Sequence, residues 1–343
     1  MCSNISRYIR ISATLFLVGM TGCAQMPTME DVPFGGFAVP DDEVRIGEDE
    51  HKQMLAMFGG VYGDQELSRY VKTVGQKIVL GNELPAQFFH FTVLNSLNVN
   101  AFALPGGYVY VTRGLLSLLS DESELAGVLA HEVAHITSRH VSSRSQQSTI
   151  TSVSYMFLMI LTGGVSEIVE RGNKYLSKAY GRDQESEADL SAVHYLNRSG
   201  YDVRGLSRVL DKMQKHEDFV TEITSGASVR EDDWFASHPS SRFRIATLEQ
   251  LIENDFDRVV KAVKPHEYLK QIDGLPLFVD PILGPARLWV VFVEHDMTMK
   301  ELAADAHVAT HIKWLEVVNG LKPGEIIPMG TGVKLIVYEG RSD

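Results

Sequence analysis

Cysteine is nearly absent from this chain. Its 343 residues include 2, Cys2 and Cys23, both close to the first residue. A disulfide framework is therefore not what holds the protein together, and a chain of this length can bury enough apolar surface to do without one. The body of the chain has no thiol, so it offers neither a thiol nucleophile nor a thiolate metal ligand. Basic charge is also scarce. Against 44 Asp and Glu stand 32 Lys and Arg, a formal charge of −12. That balance argues against a nucleic-acid partner, which requires a basic face, and gives no reason to expect polybasic adhesion to a membrane. Long apolar runs are missing too. Residues 11–20 and 150–161 are each too short for a permanent bilayer span, and the second reads as a buried helix.

What the chain does have is the string Leu129-Ala130-His131-Glu132-Val133-Ala134-His135, the pattern HExxH. On an α-helix, His131 and His135 lie one turn apart on one face, so both imidazoles can reach one metal ion. Glu132 projects toward the open side of that ion, where it can take a proton from a bound water. The surroundings favour a helix. Asp121 and Glu124 have capping-box spacing, and Leu125, Leu129, Val133 and Ile136 recur so that one stripe can face a core. Gly127 is the one glycine in the run.

Catalytic zinc takes three protein ligands and keeps one position for water, so two histidines require a third ligand elsewhere. Acids cluster in Gln184-Glu185-Ser186-Glu187-Ala188-Asp189. Glu185 and Asp189 share a helical face, which would let Glu185 bind the metal while Asp189 accepts the free N–H of a ligand histidine. Glu187 lies close by, and spacing alone does not choose between the two glutamates.

These segments together resemble the family forty-eight zinc metallopeptidases, of the BepA, HtpX and CAAX prenyl protease type. The likeness runs from Asn98-Val99-Asn100-Ala101-Phe102-Ala103-Leu104-Pro105-Gly106-Gly107 through the HExxH helix. It continues at Glu185–Asp189 and ends at Ser237-His238-Pro239. The resemblance implies one Zn2+ per chain held by His131, His135 and Glu185, with Asp189 as the supporting acid. It also implies that His238 stands near the metal as a gate and that Arg244 meets substrate or a developing oxyanion. The fold it implies is α+β: a mainly helical zincin-type domain with a small sheet.

The two ends read differently. Residues 1–22 have basic and then apolar character and lead through Met20-Thr21-Gly22 to Cys23, which resembles a bacterial lipoprotein signal with lipidation at Cys23. Ala24, rather than Asp, follows the cysteine, and the resemblance then favours the outer membrane. Residues 23–40 read as a tether and 41–275 as the metallopeptidase domain. Within that domain, two helices flank a break at 59–63, residues 88–94 suit a strand, and 101–112 suit a hairpin turning at Pro105-Gly106-Gly107. The second hairpin arm is expected to be an exposed edge that an extended substrate could join. Residues 190–213 and 242–263 look helical. Pro276, Pro281 and Pro285 mark residues 276–286 as a linker. Residues 287–343, in the order strand, helix, helix, strand, resemble a degenerate LysM module of βααβ fold. Such modules bind peptidoglycan, although His295-Asp296-Met297 replaces the usual Gly-Asp-Thr. His307 and His311 read as surface residues.

The expectation is therefore a zinc endopeptidase, lipid-anchored in the bacterial periplasm, that degrades unfolded or misassembled envelope polypeptides. The rival is an envelope chaperone or outer-membrane assembly factor with little proteolysis.

Overall fold

In the computed structural model the described residues are 39–142, 180–223, 234–239, 242–256, 265–280, 284–306, 308 and 312–338. The expected signal and Cys23, the apolar run at 150–161, and His307 and His311 lie outside them.

Helices α1 (Asp41–Met57) and α2 (Gln65–Gly81) flank the break, where Gly59 and Gly60 adopt positive φ. Asp64 caps α2 by accepting from the amides of Glu66 and Leu67. Strands β1 (His90–Leu94), β2 (Ala101–Leu104) and β3 (Tyr108–Thr112) form one sheet in the order β1-β3-β2. The 101–112 hairpin is present, with β2 antiparallel to β3. At its turn, Gly107 has φ 88°, and a Cβ there would stand 1.9 Å from the Phe88 carbonyl oxygen.

The expectation about the sheet edge is corrected. β3 also pairs in parallel with β1, so it is the central strand, and the first hairpin arm, β2, is the edge. Tyr110 points into a core of Met54, Phe58, Leu94, Phe102 and Leu104, which is why the aromatic alternation of β3 belongs to an internal strand.

A short α3 (Arg113–Leu118) leads into α4 (Glu122–Thr137), which carries the HExxH residues. Asp121 caps α4 through the Glu124 amide at 2.9 Å. The Glu124 carboxylate accepts from the Ser120 amide instead of closing the box on Asp121. More than one stripe of α4 is covered: every residue from Ser123 to Thr137 is buried. Helices α5 (Arg182–Arg198) and α6 (Gly205–Ile223) pack on it, together with α2 and β2. Gly127 lets α6 come close, since a Cβ there would meet the Leu206 amide nitrogen at 2.7 Å. The helix expected over 190–213 is two helices, because the chain turns at Gly200 with φ 79°.

Then come α7 (Trp234–Ser237), α8 (Arg242–Asp255) and α9 (Pro265–Ile272). The stretch expected as a linker is corrected as well. Pro276–Asp280 is strand β4, paired with β5 (Gly284–Phe292). Proline is tolerated because β4 is an edge strand, paired on one side only, to β5. The remaining elements are β6 (Met297–Thr298), α10 (Met299–Asp305), α11 (Ile312–Asn319), β7 (Ile326–Ile327) and β8 (Gly332–Tyr338). Lys334 of β8 is fully buried and donates to the carbonyls of Ser117, Leu118 and Leu119 at 3.1, 2.7 and 2.7 Å. These are the carbonyls that the end of α3 leaves without helical partners, so this tail strand closes the helix that precedes α4. The architecture is mainly helical with small sheets, an α+β arrangement.

Candidate active site

Burial decides what the polar residues of α4 can do. His131, Glu132 and His135 are each 0% exposed. Groups buried that deeply must find partners, because an unpaired polar group away from water costs about 1–3 kcal/mol. The partners come from two other helices. Glu185 and Asp189 project from the first two turns of α5, and His238 follows directly after α7. All three are buried.

One donor atom from each of His131, His135, Glu185 and His238 lies within 4.8 Å of the others. His131 Nε2 stands 3.1 Å from His135 Nε2 and 3.6 Å from Glu185 Oε2. His135 Nε2 is 3.5 Å from Glu185 Oε1. His238 Nδ1 is 3.3 Å from His131 Nε2 and 3.0 Å from Glu185 Oε1. Ligands bound to zinc at 2.0–2.2 Å in a tetrahedron stand roughly 3.3–3.6 Å from one another. The donor set and its spacing therefore fit that ion. Among the described residues this is the one such group.

The surrounding contacts set the chemistry of each member. Asp189 Oδ1 lies 3.1 Å from His131 Nδ1, so that nitrogen carries the proton and Nε2 turns a lone pair to the cluster. Arg244, in the first turn of α8, donates from Nε and Nη2 to the two Asp189 oxygens, both at 2.7 Å. Its Nη1 is 2.5 Å from Glu185 Oε2 and also donates to the Pro239 carbonyl. Burial would raise the Glu185 carboxyl, but His238, His135 and His131 outweigh it and hold the group well below the usual carboxylate range. The Asp189 carboxyl is likewise raised by burial and more than offset by Arg244, so it too stays ionised. Burial lowers His135 well below the ordinary imidazole value and lowers His238 to about 4. Neutral imidazoles are the form that binds metal. His238 Nε2 is 3.5 Å from Glu132 Oε1, which puts the HExxH glutamate beside the cluster.

Three further side chains line this centre that sequence reasoning did not single out. The Tyr180 ring stacks on His135 at 3.9 Å, and its amide donates to the Ser237 carbonyl. Trp234 is 1% exposed and lies edge-on to both His131 and His238. Its amide donates to the Val99 carbonyl, which ties the His238 segment to the chain entering β2. His140 contacts His135 from the far side. A histidine following HExxH so closely was the one available hint. Nothing local in the sequence brings Tyr180 or Trp234 to α4.

Comparison with known proteins agrees with this geometry. Residues 65–252 match the model of Peptidase family M48. The chain belongs to that family. This M48 chain is 30% identical over 193 residues to the beta-barrel assembly-enhancing protease of Yersinia pestis, covering 53% of the chain and 39% of that protein. It is 28% identical over 220 residues to the mitochondrial metalloendopeptidase OMA1 of Schizosaccharomyces pombe, with 61% of each covered. With metalloprotease LoiP of Escherichia coli the identity is 23% over 248 residues, covering 69% of the chain and 93% of LoiP. The M48 chain thus spans well under half of the Yersinia relative. M48 metallopeptidases are zinc-dependent, and zinc is the cofactor that the His-His-Glu-His group suits.

Proposed function

We propose that this chain is a zinc-dependent endopeptidase of the bacterial cell envelope. The observation that carries the reading is convergence: His131, His135 and Glu185 meet at tetrahedral spacing beside Glu132, inside an M48 segment. Zinc, when bound, supplies the Lewis acidity that polarises a scissile carbonyl and makes water acidic enough to attack near neutral pH. Glu132 is the general base: it takes the proton of the attacking water and passes it to the departing amine. Asp189 orients His131. Arg244 is engaged by Asp189 and Glu185, which supports a role as a brace for the two acids over the oxyanion role expected from the resemblance. β2 lies at the edge of its sheet beside α4, and its four residues are buried.

Relatives are named for enhancing β-barrel assembly, and by that likeness we take misassembled envelope polypeptides as the substrates. Anchoring at Cys23 and residence at the outer membrane belong to the same proposal. The anchor rests on the Met20–Cys23 sequence and the outer membrane on Ala24 after it; no helix among the described residues is long and apolar enough to cross a membrane. The LysM-like reading of residues 287–343 is supported by element order alone, and loss of peptidoglycan pull-down on removing them would bear it out.

A second reading has its own observation. His238 takes the fourth corner of the donor set, which favours a closed centre and an assembly factor that cleaves little. The test is zinc content and casein cleavage for the wild type, Glu132→Gln and His238→Ala. The endopeptidase predicts one zinc per chain in wild type and Glu132→Gln, cleavage abolished in Glu132→Gln, and cleavage raised in His238→Ala. Zinc without cleavage in both wild type and His238→Ala leaves the assembly-factor reading. A wild type without metal overturns both.

A further inference from the structure

The two HExxH histidines are supported in different ways. His131 has a carboxylate, Asp189, directly on its Nδ1. His135 has none there. Its Nδ1 is 3.0 Å from Nδ1 of His140, and Nε2 of His140 is 3.2 Å from Glu187 Oε2. His140 is buried, whereas the Glu187 side chain is half exposed. The arrangement is a chain of His135, His140 and Glu187 that starts at the cluster and ends at the surface.

Hydrogen-bond logic fixes the protons along it. A carboxylate only accepts, so Glu187 requires the proton of His140 on Nε2. Nδ1 of neutral His140 is then a lone pair and can only accept. His135 must therefore carry its proton on Nδ1, which leaves Nε2 as the lone pair facing His131 Nε2 and Glu185. We infer that His140, backed by Glu187, is a positioning residue that sets the tautomer and ring orientation of His135 for metal binding.

Local backbone is arranged to make this contact. Helix α4 ends at Thr137, and Arg139 adopts φ 56°, a left-handed conformation that non-glycine residues rarely take. The turn folds His140 back under His135, a position that a continuing helix would not give it. Glu187 lies on α5 between Glu185 and Asp189 in sequence. One helix thus supplies Glu185 to the cluster, Asp189 to the support of His131, and Glu187 to the support of His135.

This inference rests on the metal-centre reading above, and the experiment separates their failures. Zinc affinity of the full chain would be measured by competition with a chelating dye for wild type, His140→Ala, His140→Asn and Glu187→Ala. Urea unfolding of each metal-free protein would run alongside. Asn can present an acceptor oxygen close to where His140 Nδ1 stands. His140→Ala should bind zinc about 10- to 100-fold more weakly, as loss of such supporting contacts does elsewhere. His140→Asn should recover most of that loss, and Glu187→Ala should fall between. Long-range 1H–15N spectra of the zinc-loaded wild type should show His135 protonated at Nδ1. Wild-type affinity in His140→Ala would overturn the inference. So would equal weakening in Ala and Asn that only follows their metal-free stability. Should His140→Ala not fold, the half-exposed Glu187→Ala decides, and unchanged affinity there sinks the relay. A wild type that binds no zinc would instead remove the metal-centre reading itself.

Discussion

Asp189→Asn is the substitution that separates the supports of this site most sharply. Asp189 is 3% exposed and meets three donors: His131 Nδ1 at 3.1 Å and Arg244 Nε and Nη2 at 2.7 Å each. Asparagine keeps the shape but replaces one acceptor oxygen with an N–H2 that faces donors. Removing one partner of a buried ion pair costs about 3–5 kcal/mol. Arg244 keeps its contact with Glu185, so the lower end, about 3 kcal/mol, is expected. With an m-value of about 3 kcal/mol per M, the urea midpoint should fall by about 1 M. The second consequence concerns metal. Without an anion on Nδ1, His131 is less basic and less well oriented, and zinc affinity should drop about 10- to 100-fold. Urea unfolding of the metal-free protein measures the first effect, and chelator competition measures the second. Adding Arg244→Met should not restore the urea stability, because it leaves the buried Glu185 carboxylate without the cation that still pairs it. Nor should it restore zinc affinity. An Asp189→Asn protein with wild-type urea midpoint and wild-type zinc affinity would refute the reasoning.

Two other perturbations follow from particular residues. Arg139 sits at φ 56° and has an exposed 3.4 Å ion pair with Glu43. A left-handed non-glycine residue costs about 1–2 kcal/mol, against about 0–1 for the ion pair, so Arg139→Gly should unfold in urea at or slightly above the wild-type midpoint. Arg139→Val should be clearly less stable than Arg139→Gly, and equal midpoints would count against the assigned turn. Burial raises the Glu50 carboxyl from 4.5 to about 7. The folded chain therefore holds a proton that the unfolded chain releases between those pH values, and stability contributed by Glu50 falls as pH rises through that window. Thermal unfolding of Glu50→Gln should match wild type near pH 5 and exceed it near pH 8; a constant difference across pH would remove this account.

Local signals placed most helices and the hairpin, because caps, glycines and apolar periodicity act over a few residues. Asp64 and Asp121 cap α2 and α4, and Gly106-Gly107 turns β2 into β3. Strand order was not legible. Tyr108 to Thr112 alternates as an edge strand would, yet β1 pairs along its other side. Prolines at 276 and 285 read as a linker because a sequence does not say that the strand carrying Pro276 lies at a sheet edge.

By itself the sequence determined that His131 and His135 share a helical face with Glu132 beside them, since that follows from the pitch of a helix. It also put Glu185 and Asp189 one turn apart. Only the tertiary structure decided which acid goes where. Glu185 and Glu187 are equivalent by spacing, and the packing of α5 on α4 turns the first into the cluster and sends the second to His140. Likewise only packing brings His238, Arg244, Tyr180 and Trp234 to the HExxH helix. Contacts between residues far apart in the chain depend on how whole elements bury their faces against each other, and no short stretch of sequence encodes that.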